Sequence, residues 1–112
     1  MSDLRLDGMT LADGVVETII NIAMQNVEGV AGVSLGAGIW GALGQKTPAP
    51  AIEVSANDDN TLSIAVHIEA VYGHALPEVA ARVRQTIYDA VLIQVGVEAS
   101  KVDVYIDGIQ FA

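Results

Sequence analysis

From Leu11 to Val27 the apolar residues fall on one side of a helical period. They are Val15, Val16, Ile19, Ile20, Ile22, Ala23, Met24 and Val27, set against a polar stripe of Glu17, Asn21, Gln25 and Glu28. This spacing predicts an amphipathic helix with a wide buried face. Thr10 is placed as its N-cap, with Asp13 three residues on in a variant of the capping box. Gly29 supplies a left-handed stop, followed by the apolar Val30. Residues 1–9 read as a loose lead-in, and residues 10–112 as the domain itself.

Past this helix the period changes from 3.6 to 2. Val30 to Ser34 predicts a short strand. Ile52 to Ala56 and Leu62 to Ala70 alternate apolar with polar, and Asn57-Asp58-Asp59-Asn60 between them is a hairpin turn. Pro77 suits the first position of a second helix, with Leu76 at the cap and Glu78 in the first turn where the helix dipole favours an anion. Val79, Val83, Ile87 and Val91 repeat every four residues as its core stripe. Glu78 and Arg82 form an i,i+4 pair outside it. Gly96 ends that helix, and Val97 can pack back on Leu92. Val102 to Ile106 predicts a last strand, closed by Asp107-Gly108. The order is helix, strand, hairpin, helix, strand. It predicts an α+β two-layer sandwich, with two helices on one face of a small, mainly antiparallel sheet. The sheet's other face is left largely uncovered.

Between the first strand and the hairpin lies a connector, residues 35–50, rich in glycine and alanine and ending in Pro48 and Pro50. Its Gly36-Ala-Gly-Ile-Trp-Gly41 fits the G-x-G-x-x-G dinucleotide fingerprint letter for letter. The fingerprint needs a helix starting at its third glycine to hold a pyrophosphate, inside a βαβ unit. Only Ala42, Leu43, Gly44 and Gln45 follow before a lysine and the prolines, and the element order has no such unit. No nucleotide cofactor is expected. Gly38-Ile-Trp-Gly41 also spells the GXXG of a KH-type module, which works between two helices among basic neighbours. A KH-like nucleic-acid or ligand-binding module is therefore the alternative function.

Charge weighs against that alternative. The chain of 112 residues carries 14 acidic against 5 basic side chains, a formal net charge of −9. It repels phosphate backbones and anionic headgroups. Direct nucleic-acid binding is not expected. Yet hydrophobic residues make up 52% and the mean hydropathy is +0.45, which calls for an apolar surface covered by a partner. The longest uncharged run, Gly29 to Gln45, holds six glycines in 17 residues. Each costs about 1 kcal/mol in a helix, so direct membrane insertion is not expected. The first residues lack a basic, apolar leader, which makes the cytoplasm the default compartment.

Candidate chemistry is sparse. There is no cysteine, so thiolate zinc sites and a cysteine nucleophile are excluded. By alternation the sheet's wet face carries Glu53, Ser55, His67, Glu69, Asp103 and Tyr105. One histidine among scattered acids lacks metal-ligand spacing, and a solvated face explains it. His74 is expected to be an exposed loop residue. No catalytic or metal-ligating set emerges, and an enzyme is not expected. Leu35, Ile39 and Leu43 fall at i, i+4 and i+8 with Trp40 alongside, an apolar stripe suited to a partner if the segment coils. Trp40 folding back onto the domain is the other reading. Tyr88 and Leu92 form a second strip, equally explained by a neighbouring subunit or by packing inside the domain.

Three stretches together resemble the alkaline shock protein family of Gram-positive bacteria. ETIINIAMQNVEGVAGVS (Glu17 to Ser34) resembles its opening helix and turn. VYGHALPEVAARVRQTIYDAV (Val71 to Val91) resembles its Tyr-Gly, spacer, Pro-Glu-Val-Ala signature. VDVYIDGIQF (Val102 to Phe111) resembles its final strand. The resemblance runs from about Val15 to Phe111 and implies a non-catalytic α+β protein of envelope homeostasis and stress response. It further implies a cytoplasmic homo-oligomer, peripheral at the inner face of the membrane through a membrane-anchored protein adaptor. The connector is richer in glycine and alanine than the family pattern. Gln94-Val95-Gly96 stands where Thr-Gly is usual. The partner-binding candidates are Leu35, Ile39, Trp40, Leu43, His67 and Tyr105.

Overall fold

A computed structural model describes residues 4–6, 8–12, 14–33 and 51–111. The connector, and with it Leu35, Ile39, Trp40 and Leu43, lies outside them. The elements are β1 (Leu4–Leu6), β2 (Met9–Leu11), α1 (Val15–Met24), β3 (Val30–Val33), β4 (Ile52–Ala56), β5 (Leu62–Val71), α2 (Leu76–Gln94) and β6 (Ala99–Gln110).

β5 is the middle of the main sheet. Its residues alternate strictly, Leu62, Ile64, Val66, Ile68 and Ala70 being buried and the residues between them half-exposed. The buried set meets Val16, Ile20 and Met24 of α1 and the whole Val79, Val83, Ile87 and Val91 stripe of α2 in a single core. Both helices therefore cover the same face, as the two-layer expectation has it. Among the described residues three of the four strand pairings are antiparallel, β1 with β2, β3 with β5 and β4 with β5; the longest, β5 with β6, is parallel.

The topology has an uncommon feature. β3 and β4 lie end to end along one side of β5. Val33 sits opposite Ile68 and Ile52 opposite Val66, while the Ala51 carbonyl accepts the His67 N–H at 2.8 Å. The chain leaves this broken strand and returns to it beside His67. In the middle the sheet is thus three strands wide, and β6 forms its other edge.

Four expectations need correction. The lead-in over residues 1–9 contains a hairpin, in which Leu4 faces Leu11 and Leu6 faces Met9. Leu6 is 1% exposed and belongs to the core, so the order gains a hairpin before the first helix. Thr10 lies in β2 and does not cap α1. The helix starts later, behind Gly14 at φ 90°, with no side-chain cap. It also ends at Met24, and Gly29, at φ 94°, closes a turn that follows the helix. Asp107-Gly108 does not close the last strand: β6 runs through it with a bulge, Ile106 pairing with Ile68 and Gly108 with Glu69.

Candidate functional site

The open face of the sheet gathers the polar residues that alternation assigned to it. His67 on β5 and Tyr105 on β6 are register partners. Their rings stack at 4.6 Å between centroids and 13° between planes. His67 Nδ1 lies 2.9 Å from Asp107 Oδ2. An ionised carboxylate only accepts, so in this contact Nδ1 carries the proton. Asp107 lies two residues past Tyr105, on the same face of β6, diagonal to His67. As the extra residue of the bulge it has no register partner on β5, standing between Ile106 opposite Ile68 and Gly108 opposite Glu69. Sequence reasoning found His67 and Tyr105 but missed Asp107, because Asp-Gly reads as a turn.

The rest of this face is knit by local contacts. Lys101 Nζ sits 3.4 Å from Asp103 Oδ2, and Gln110 Nε2 donates to Glu69 Oε1. At the hairpin end, Asn57 Nδ2 donates to Thr61 Oγ1 and to Ser100 Oγ, each at 2.9 Å, and Ser63 Oγ donates to Asn57 Oδ1 at 3.1 Å. This network ties the turn to the start of β6. Asp59 accepts from the Thr61 hydroxyl at 2.6 Å and from its N–H at 3.3 Å. The hydroxyl bond, first, holds the Asp59 carboxyl below its ordinary 3.8. Among the described residues no three His, Cys, Asp or Glu side chains converge as metal ligands. A histidine stacked on a tyrosine and held by a carboxylate is a rigid polar platform.

The second surface lies between the helices. A cleft of about 370 Å³ is lined by Ile19, Ile22, Ala23, Ala90, Ile93 and Gln94. Ile22 is 56% and Ile93 77% exposed, against an expectation that Ile22 faces the core. The apolar side chains of α1 cover more of its circumference than the sheet can bury, and Ile22 is left over. Of the strip expected along α2, Tyr88 packs against the core while Leu92 stays exposed. A neighbouring cleft of about 390 Å³ has Glu28, Arg82 and Gln85 among its walls, beside Ala23 and Val27. There Arg82 Nη1 reaches the Glu28 carbonyl at 3.5 Å and Nη2 sits 3.7 Å from Glu78, the i,i+4 pair expected from sequence.

His74 is half-buried, contrary to the exposed loop expected of it. A Cβ built on Gly29 would lie 3.3 Å from the His74 ring and 2.8 Å from Val79 Cγ2. The missing side chain at Gly29 lets the histidine close over the turn. No described helix is long and apolar enough to cross a membrane.

Two helices on one face of a mixed sheet, a polar platform on the other and an apolar cleft between the helices define a small α+β domain. The alkaline shock protein (ASP23) family model, whose description is a cell envelope-related function, matches residues 2–111, and the chain belongs to that family. It is similar to the uncharacterized protein YqhY of Bacillus subtilis (strain 168), with 29% identity over 111 residues, 97% of this chain and 82% of the relative. No solved structure matches.

Proposed function

We propose that this chain is a non-catalytic structural and interaction protein of the cell envelope, self-associating and docking to a membrane-anchored protein on the cytoplasmic side. The observation that carries this reading is the helix-pair cleft. Its apolar lining is rimmed by Ile22 and Ile93, both far more exposed than isoleucines of a satisfied core. Apolar surface at a cleft between helices is suited to receive a helix or an extended apolar segment of another protein. A net charge of −9 opposes direct adsorption to anionic lipid, which favours a protein adaptor over the bilayer itself.

Tagged chain captured from detergent-solubilised cells tests the docking half. The wild type is expected to enrich a small membrane protein, and the Ile22→Asp/Ile93→Asp variant to lose it while folding normally. Equal enrichment by both would remove the cleft from the interface. Enrichment of RNA in place of protein would overturn the reading.

A further inference from the structure

We propose that the free edge of β6 pairs antiparallel with the same edge of a second copy, about a twofold axis at Val104. This rests on the self-association in the proposed function and gives it a location. β6 is the longest of the described strands, at 12 residues. It pairs with β5 on one side only, and among the described residues no strand lies along the other. Such an edge is a template for another strand.

The ladder's phase says which groups point outward. The Leu62 N–H bonds to the Glu98 carbonyl and the Tyr72 N–H to the Gln110 carbonyl. In a parallel pair, the β6 residues flanking Ile64, Val66 and Ile68 then bond to β5. Val102, Val104 and Ile106 direct their N–H and C=O groups away from it. Register shifts occur at Leu62/Ser63 and Ile68/Glu69, so the run from Lys101 to Ile106 is regular and bounded by a bulge at each end.

Self-complementarity argues for a second copy over an unrelated peptide, and it selects one register. With Val104 facing Val104 of the other copy, Val102 faces Ile106, and all three outward residues on each strand are used, for about six main-chain bonds. Their side chains, half-buried against the core, meet as apolar pairs across the seam. On the open face Tyr105 comes opposite Asp103, and Lys101 falls at the level of Asp107. Slipping by one step to centre on Asp103 sets two aspartates face to face. Centring on Tyr105 sets Asp103 against Asp107. Like charges directly opposite are destabilising. The paired run is short beside a standard interface of about 800 Å² per partner, so association should be reversible and concentration-dependent.

The natural chain has no cysteine, which permits a clean cross-linking test on the full chain. In the Val104→Cys variant the two thiols face each other in a hydrogen-bonded pair, with Cα atoms about 5.5 Å apart, inside the range of about 4.4–6.8 Å that a disulfide spans. In Val102→Cys or Ile106→Cys alone, each thiol is roughly 14 Å from its symmetry mate. Under mild oxidation Val104→Cys should yield at least about tenfold more covalent dimer than either. Mixing Val102→Cys with Ile106→Cys should restore the dimer. Sedimentation of the wild type is run alongside. A wild-type dimer with no preference for Val104→Cys would overturn the β6 seam and leave self-association elsewhere. A wild type monomeric at every concentration would overturn both.

Discussion

At the scale of single residues, two turn positions, Gly29 and Asp59, can be tested directly. Gly29 combines a φ of 94° with a Cβ position 2.8 Å from Val79 Cγ2. Alanine there meets both a left-handed backbone and a side chain that is itself fully buried, with no free direction to yield. Gly29→Ala should therefore cost about 1–3 kcal/mol in denaturant unfolding. A cost near zero would mean that the turn relaxes without disturbing α2. Asp59 provides a pH-dependent counterpart. Its folded pKa is depressed, chiefly by the Thr61 hydroxyl. Its contribution is thus fully present above the ordinary 3.8 and lost as pH falls through the lower folded value. Thr61→Val should move the Asp59 midpoint up toward 3.8 in an NMR titration. An unmoved midpoint would assign the shift to the turn backbone instead.

At the scale of elements, α2 separates a core face from an exposed apolar face. Val83 is 0% and Ile93 77% exposed on the same helix. Val83→Asp buries an unpaired charge and should abolish cooperative unfolding. Ile93→Gln should change stability by less than about 0.5 kcal/mol. If the two behaved alike, the assigned helix face would be wrong. The first hairpin is a structural element in its own right: Leu6→Ala should cost about 2–4 kcal/mol, as for a buried leucine elsewhere, and a loss of a few tenths would return residues 4–11 to a loose lead-in. These elements also mark what the sequence could and could not reveal. α2 and the β4–β5 hairpin were legible because each repeats its period several times, four turns of valine and isoleucine in one and strict alternation in the other. β1 and β2 have three residues each, too few for a period to declare itself, although Asp7-Gly8 between apolar alternations carried the signal. Asp107-Gly108 misled for a physical reason, since the residues that favour a turn also favour a bulge. Of the candidate site, His67 and Tyr105 were legible from alternation alone. Asp107, two residues past Tyr105, shares its face by the same alternation and was passed over because Asp-Gly reads as a turn, and the exposure of Ile22 depends on how much of α1 the sheet can cover.

At the scale of the whole molecule, net charge sets the conditions under which copies can meet. Domains of this length have a radius of gyration near 13 Å, so two in contact hold their centres roughly 25 Å apart. Charges of −9 at that distance repel by about 13 kcal/mol in unscreened water. Screening leaves about 4 kcal/mol at 20 mM salt and almost nothing at 0.5 M. Opposing this, the two Lys101–Asp107 contacts of a β6 seam contribute about 1 kcal/mol each in water, and salt weakens them. Repulsion is the larger of the two, so added salt should tighten self-association. Sedimentation equilibrium at 20 mM and 0.5 M sodium chloride measures the balance directly, with a dissociation constant expected to fall by at least about tenfold, the equivalent of 1.4 kcal/mol. A constant that rises with salt would mean that complementary contacts outweigh the net charge. The copies would then meet through surfaces more strongly paired in charge than the edge of β6.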